Sequence, residues 1–222
     1  MSACARPTLG FIPGFVWLVW IALAAGPLPA DAQAPPEYDI VIRGGRVLDG
    51  AGNPWVRADV AVRSGRIVGI GRIEGAGRRE IDASGLYVSP GFIDMMDQSG
   101  SVLPRNGLAE NKLRMGVTTA IGGEGGTPVP VEDIEAYFRG LEESGISINF
   151  GTYFSQTQTR VAVLGSSARA PDADELERMK EMMRSAMRQG VMGMTTALIY
   201  PPSSFATTDE LVAVGSAAAE FG

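Results

Sequence analysis

Residues 117–126 read VTTAIGGEGG, a β-branched apolar run that leads into a glycine-rich loop with one carboxylate, Glu124. Such a run predicts a buried strand, and the glycines allow the loop backbone to approach its neighbours closely. Helices are predicted on both sides of the strand, over residues 108–115 and 131–143. This alternation of strand and helix favours a parallel sheet covered by helices.

Further apolar strands are predicted at residues 86–94, 146–150 and 191–195. An eight-unit (β/α)8 TIM barrel uses about 31 residues for each unit, so residues 88–222 would hold about four units. We therefore expect half of such a barrel, either as the N-terminal part of a longer protein or as a truncated product. Half a barrel would leave sheet edges and apolar surface uncovered.

Two helix starts are marked by their capping residues. Asp172 and Glu175 have the spacing of a capping box, and a stripe of methionines follows at helical spacing. Methionines in that pattern are typical of a core rather than of a ligand surface. Thr207 and Glu210 have the same spacing and predict the start of the last helix.

Residues 37–88 are rich in short strands and turns. A strand over residues 38–43 is expected to turn at Gly44-Gly45, and Ser64-Gly65 is typical of a tight hairpin. We expect a small antiparallel sheet of about five strands. With roughly 50 residues its core would be thin, so it needs another part of the chain to pack against.

Residues 1–32 have the pattern of a secretory signal peptide. Arg6 precedes an uncharged apolar run over residues 15–25, and residues 30–32 (Ala-Asp-Ala) form a small-x-small cleavage site. The alternative is a membrane anchor, but the run is shorter than the roughly 20 residues that span a bilayer. We expect a secreted or periplasmic protein that keeps no stable membrane anchor after cleavage. The single cysteine, Cys4, lies inside the signal, so the mature chain would have no disulfide.

Composition excludes several functional classes. The 25 acidic side chains outnumber the 19 basic ones, which argues against binding to nucleic acid. The chain has no histidine and one cysteine. Ser-His and Cys-His catalytic pairs are therefore excluded, and a zinc site built from Cys and His would need ligands from elsewhere.

Three segments resemble the amidohydrolase superfamily: residues 38–50, 67–71 and, most specifically, VSPGFID at 88–94. Within that superfamily the chain is most similar to the N-acyl-D-amino-acid deacylases, or D-aminoacylases. The segments that carry this closer resemblance are residues 114–119, 123–126, 160–165 and 196–202.

The resemblance implies a metal-dependent hydrolase of non-peptide C–N (amide) bonds, with a divalent metal, zinc in our expectation, that activates water. It implies a (β/α)8 barrel of which residues 88–222 form the first half. Residues 33–87 would belong to a β-sandwich built from both ends of the longer chain. Later histidine ligands and the catalytic aspartate would lie beyond residue 222. The implied substrate is a small amide, and a homo-oligomer is left open.

The resemblance also places metal ligands on the first two barrel strands. A His-x-His pair is expected after the first strand, where this chain has Met96 and Gln98, and these are poor replacements for imidazole. Glu124 stands where relatives carry a metal-binding cysteine, and we favour it as a ligand over a solvated loop carboxylate. Asp97 is a second candidate ligand, with simple exposure favoured as its alternative. Gln156 falls where relatives often have histidine.

Other side chains have one functional and one structural interpretation each. Tyr200 could line a substrate pocket, or its hydroxyl could be buried and hydrogen-bonded. Arg160 could bind a substrate carboxylate in a bidentate manner, or form a structural salt bridge. Lys112 and Lys180 both fall on predicted helices, which excludes a carboxylated lysine bridging two metals within this stretch. The functional alternatives to a deacylase are a non-catalytic binding protein of the same fold and an inactive fragment.

Overall fold

The computed structural model describes residues 36–222, which divide into two compact units. The first contains residues 36–45 and 58–84, and the second contains residues 46–57 and 85–222. The expected signal peptide, residues 1–32, lies outside the described residues. Within residues 36–222, no helix has both the length and the apolar character needed to cross a membrane.

The first unit is built on a sheet with the strand order β3-β2-β1-β4. Its strands are β1 (Tyr38–Val47), β2 (Val56–Arg63), β3 (Arg66–Gly71) and β4 (Gly77–Asp82). β2 and β3 are antiparallel around Ser64-Gly65, so the predicted hairpin is confirmed. β1 and β4 are parallel, with Tyr38 opposite Gly77. The expectation of an antiparallel sheet is therefore wrong, because β4 joins β1 through a crossover and not a hairpin.

The predicted turn at Gly44-Gly45 is also wrong, because β1 continues through both glycines. Gly44 has φ of +66°, a conformation that glycine adopts without a steric penalty. Its N–H donates to Oδ1 of Asp59 on β2 at 2.8 Å. The strand thus continues through a backbone conformation that favours glycine. In the second unit, Arg46 and Val47 at the end of β1 pair with β5 (Tyr87–Val88) in parallel.

The second unit contains the predicted parallel sheet. Its strands β6 (Phe92–Asp97), β7 (Val117–Gly122) and β8 (Asn149–Thr152) pair in that order and all run parallel. β9 (Phe154–Ser155) pairs in parallel with β10 (Met194–Thr195). Tyr153 lies between β8 and β9, and its N–H donates to the carbonyl of Gly122 at 3.0 Å. The molecule is thus a mixed α/β protein.

Five helices accompany these strands in the second unit: α1 (Glu110–Arg114), α2 (Ile134–Ser144), α3 (Gln156–Leu164), α4 (Ala173–Arg188) and α5 (Thr208–Ala219). A 3₁₀ turn, residues 131–133, leads into α2, so the helix predicted over 131–143 is confirmed. The helix α3 was not predicted.

The core of the second unit lies between helices and strand ends. Met179 and Met183 of α4 are fully buried and pack with Phe154 of β9 and Val214 of α5. The methionine stripe is therefore core, as its spacing indicated. The capping box of α4 is also confirmed, since Asp172 accepts from the N–H of Glu175 at 2.8 Å and Glu175 accepts from the N–H of Asp172 at 2.9 Å.

Candidate active site

The carboxyl ends of the parallel strands β6 and β7 carry two of the candidate residues, Asp97 and Glu124. Asp97, at the end of β6, lies opposite Gly122, at the end of β7. The hydroxyl of Thr195, at the end of β10, donates to the carbonyl of Gly123 at 2.6 Å. Barrel and open α/β enzymes place their chemistry at this end of the strands. The loop that carries Glu124 therefore starts in the position expected for a site.

Two glycines set the path of that loop. Gly123 has φ of +92°, and a Cβ there would lie 2.4 Å from the carbonyl oxygen of Tyr153. Gly126 has φ of +117°, and a Cβ there would lie 2.2 Å from Oε1 of Gln158. A side chain would strain the backbone at both positions, and at Gly123 it would also collide with the backbone of Tyr153. The glycines thus hold Glu124 close to the ends of the neighbouring strands.

Glu124 is exposed, and its Oε2 accepts a hydrogen bond from Nε2 of Gln98 at 3.3 Å. The positions that the sequence assigned to the first and second strands are therefore in contact. Gln98 also lines a cavity of about 130 Å³ together with Gly122 and Thr152. Met96, the other position of the altered pair, is 64% exposed. A carboxylate, an amide and a thioether thus occupy the positions where the resemblance implies cysteine and imidazole.

Asp97 is buried, so the expectation that it is exposed is wrong. Its carboxylate forms an ion pair with Lys112 of α1 and accepts from the N–H of Ser99 at 2.8 Å. Lys112 also donates to Oδ2 of Asp94 at 2.6 Å. Burial by itself would raise the pKa of Asp97, but the hydrogen bonds from Lys112 and Ser99 outweigh it and hold the pKa below its ordinary value. Asp97 is therefore paired with α1, while the neighbouring Gln98 donates to Glu124.

Arg160 is fully buried on α3, so the structure favours the salt-bridge interpretation over a substrate-binding role. Its guanidinium bonds to Oε2 of Glu210 at 2.5 Å and donates to the carbonyl of Arg169 at 2.7 Å. A group with these partners is not open to a substrate carboxylate. Gln156 is also fully buried, and its Nε2 donates to Oε1 of Glu210 at 2.5 Å.

Tyr200 lies after β10 and is 64% exposed. The alternative of a buried, hydrogen-bonded hydroxyl is therefore wrong, and its role as a pocket-lining residue stays a prediction. A larger cavity of about 730 Å³ is lined by other residues, among them Phe138, Ile148 and Met192, and by none of the predicted site residues.

Sequence reasoning missed three side chains that determine these arrangements: Lys112, Glu210 and Ser203, whose hydroxyl donates to Oε1 of Gln156 at 2.6 Å. From the sequence, Lys112 is of interest only as a bridging ligand and Glu210 only as a capping residue. The pair of Arg160 and Glu210 is separated by 50 residues in sequence. No local pattern connects such partners, because the fold alone brings them together.

No family model matches the chain. Its similarity to individual proteins is extensive. D-aminoacylase from Alcaligenes xylosoxydans xylosoxydans is 30% identical over 199 residues, which cover 80% of this chain and 41% of the relative. N-acyl-D-aspartate deacylase from the same organism is 32% identical over 82% of this chain and 41% of the relative. The homologues of this chain are N-acyl-D-amino-acid deacylases of the amidohydrolase superfamily. The resemblance found in the sequence is thus confirmed.

The backbone agrees with that of a solved deacylase. N-acyl-D-glutamate deacylase from Bordetella bronchiseptica, solved with zinc and a phosphonate inhibitor that mimics the tetrahedral intermediate, is 31% identical with a TM-score of 0.69. The match covers 82% of this chain and 43% of that deacylase. This chain thus spans less than half the length of the deacylases it matches.

The described residues do not by themselves build a metal site. Within residues 36–222, no three His, Cys, Asp or Glu side chains lie close enough together to hold a metal ion. Glu124 has an amide, Gln98, as its polar neighbour, and the charge of Asp97 is compensated by Lys112. These residues fit at most one ligand position, that of Glu124.

Proposed function

We propose that this protein acts in the hydrolysis of N-acyl D-amino acids, small-molecule substrates with an amide bond. The observation that carries the proposal is the 30% identity with D-aminoacylase across 80% of the chain. The strand ends add support, because the positions after β6 and β7 where the resemblance implies metal ligands are in contact here through Gln98 and Glu124.

We further propose that residues 88–222 are the first half of a (β/α)8 barrel and that residues 33–87 belong to a β-sandwich. The parallel order of β6, β7 and β8 supports the barrel. β6 lies at the edge of that sheet, and its Phe92 and Ile93 are each 61% exposed. Apolar edge strands of this kind are normally covered by further structure.

A divalent metal, zinc in our proposal, would be bound in part by Glu124. A carboxylate oxygen is a common zinc ligand, but one ligand does not make a site. The remaining ligands would have to come from outside residues 36–222, so we assign no step of the reaction to the metal.

Metal content of the intact protein tests the assignment of Glu124. Glu124→Ala is expected to contain less than half of the wild-type metal by plasma mass spectrometry, because a ligand is lost. Glu132→Ala removes another exposed carboxylate, from the 3₁₀ turn before α2, and is expected to keep the wild-type amount. Equal metal in all three proteins would reject Glu124 as a ligand.

Turnover tests the reaction itself. The intact, metal-loaded protein is expected to release free amino acid from N-acetyl D-amino acids and little from the L-enantiomers. Acidic and apolar side chains should both be assayed, because the homologues include deacylases named for D-aspartate and D-glutamate. Absence of turnover on the whole panel would reject the proposal.

The second candidate function is ligand binding without catalysis, which the replacement of the His-x-His pair by Met96 and Gln98 favours. Calorimetry with the same N-acyl amino acids separates the two. Binding without release of product would support the binding protein, and turnover would exclude it.

Export to the periplasm or the medium is part of the proposal and rests on the pattern of residues 1–32. Mass spectrometry of the exported chain is expected to give Gln33 as the first residue. An uncleaved N-terminus on cytoplasmic protein would reject it.

A further inference from the structure

A buried polar network connects α3 with α5 and with the 3₁₀ turn after β10. It consists of Arg160, Gln156, Glu210 and Ser203, each no more than 2% exposed. The carboxylate of Glu210 uses one oxygen for Arg160 and the other for Gln156, at 2.5 Å each. Buried charges are tolerated when they are paired and hydrogen-bonded in this way.

Gln156 is the central member of this network because it both donates and accepts. Its Nε2 donates to Glu210, and its Oε1 accepts from the hydroxyl of Ser203 at 2.6 Å. Few side chains can do both while staying neutral. An amide can, and so can a neutral imidazole, which has one N–H donor and one nitrogen acceptor. A carboxylate cannot donate, and leucine can do neither.

Ser203 links the network to the segment that carries Tyr200. It begins the 3₁₀ turn over residues 203–205, directly after Pro202. The N–H of the next residue, Ser204, donates to the carbonyl of Tyr200 at 3.0 Å. The N–H of Tyr200 itself donates to the carbonyl of Ala197 at 3.1 Å. The backbone of Tyr200 is therefore held from both sides, while its side chain remains exposed.

We propose that Gln156, through Ser203, is the positioning residue that fixes Tyr200 in the segment after β10, with Glu210 and Arg160 fixing Gln156. In this role Gln156 acts by its paired donor and acceptor and binds no metal. The part of the proposal that concerns substrate rests on the proposed function; the part that concerns the position of Tyr200 does not.

The compensating charges of Arg160 and Glu210 allow the buried network to keep one arrangement. Arg160 and Glu210 compensate each other, so the neutral amide of Gln156 meets a carboxylate that is already paired. The second end of the guanidinium is held by the carbonyls of Ser167 and Arg169, at 3.2 and 2.7 Å. Each member is thus held by at least one partner outside the segment that carries Tyr200.

Fluorine NMR of the intact protein labelled with 3-fluorotyrosine tests the position of Tyr200. The chain has five tyrosines, so each resonance can be assigned by a Tyr→Phe variant. In Gln156→Leu the Tyr200 resonance is expected to shift and sharpen toward that of a mobile residue, while those of Tyr38, Tyr87 and Tyr137 stay in place. In Gln156→His it is expected to keep the wild-type position, because imidazole restores both hydrogen bonds.

Gln189→Leu is the matched control. The Gln189 amide also donates and accepts, to the carbonyl of Val131 at 2.7 Å and from the N–H of Glu135 at 3.1 Å, on a different segment. The Gln189→Leu variant is expected to leave the Tyr200 resonance unchanged. Equal shifts of all five resonances in Gln156→Leu would show general destabilisation and overturn the proposal, as would a Tyr200 resonance that does not move.

If the protein is a deacylase, the kinetics add a second measurement. Gln156→Leu is expected to raise KM about tenfold, the equivalent of about 1.4 kcal/mol of binding, with kcat within about twofold of wild type. Gln156→His is expected to restore KM. A fall in kcat with KM unchanged would overturn the link to substrate. Absence of any activity in the wild type would reject the proposed function but leave the NMR test of Tyr200 in force.

Discussion

Two glutamine–glutamate hydrogen bonds in the second unit use the same chemistry in opposite surroundings. Gln156 donates to Glu210 at 2.5 Å where both side chains are buried, whereas Gln98 donates to Glu124 at 3.3 Å where both are exposed. Glu210 also has Arg160 on its second oxygen. The same pair of functional groups is therefore enclosed by protein partners in one place and open to water or a ligand in the other.

This difference shows that burial, not residue type, separates a structural carboxylate from a candidate ligand. A buried carboxylate needs partners for both oxygens and a counter-charge, so it has nothing left to offer a metal or a substrate. An exposed carboxylate at the strand ends costs little to keep and retains free lone pairs. Glu210 is such a buried carboxylate, and Glu124 is such an exposed one.

The largest expected effect is that of Glu210→Ala, which tests the buried pair. It leaves the Arg160 guanidinium buried without its counter-charge, a change that typically costs about 3–5 kcal/mol. Urea denaturation of the intact protein, followed by circular dichroism, measures the loss in free energy of unfolding. A loss below about 1 kcal/mol would mean that Glu210 and Arg160 are solvated in solution, and the contrast with Glu124 would fail.

The helices show how far the sequence could predict this arrangement. α4 was predicted because its capping box and methionine stripe are local signals that the core then uses. α3 was missed because its sequence QTQTRVAVL is mostly polar in its first turns, so it lacks a strong apolar stripe. Its capping box, Ser155 with Gln158, is visible in the sequence and could have revealed it.

The site residues also differ in how far the sequence alone could predict them. Glu124 could be placed from the sequence because a glycine-rich loop after a strand marks its position. Asp97 could not, because its counter-ion Lys112 comes from the next helix and reverses the expected exposure. Arg160 needed Glu210 from 50 residues further along the chain. The parallel pairing of β1 with β4 likewise depends on tertiary packing, which the turn residues do not encode.

Glu175 is intermediate between the buried Glu210 and the exposed Glu124. The pH dependence of stability measures how strongly its ion pair is formed. Arg169 binds it in a bidentate manner, at 2.6 Å on each oxygen, and together with the N–H of Asp172 lowers its pKa from 4.5 to about 2. A depressed pKa stabilises the folded state above the unfolded value, and this stabilisation is lost as the pH falls through the folded pKa. The difference in Tm between wild type and Glu175→Gln is therefore expected to be full above about pH 5 and to shrink as the pH falls toward about 2.

Arg169→Ala is the control for this titration. Without the guanidinium, the Tm difference that Glu175→Gln produces is expected to be smaller and to vary less over the same pH range. A difference that stays constant with pH in the wild-type background would show that the ion pair does not form.

The smallest expected effect is that of Glu124→Gln, which tests the exposed pair. The substitution keeps the shape of the side chain and removes its charge at a solvated position, where changes in stability stay within about 0.5 kcal/mol. The same urea denaturation that measures Glu210→Ala applies. A loss of more than about 2 kcal/mol in metal-free protein would mean that Glu124 holds the strand ends together, and its free lone pairs would no longer argue for a ligand. If Glu124→Gln loses bound metal but keeps its stability, Glu124 and Glu210 differ in function. Only an exposed carboxylate can be replaced without a loss in the free energy of unfolding.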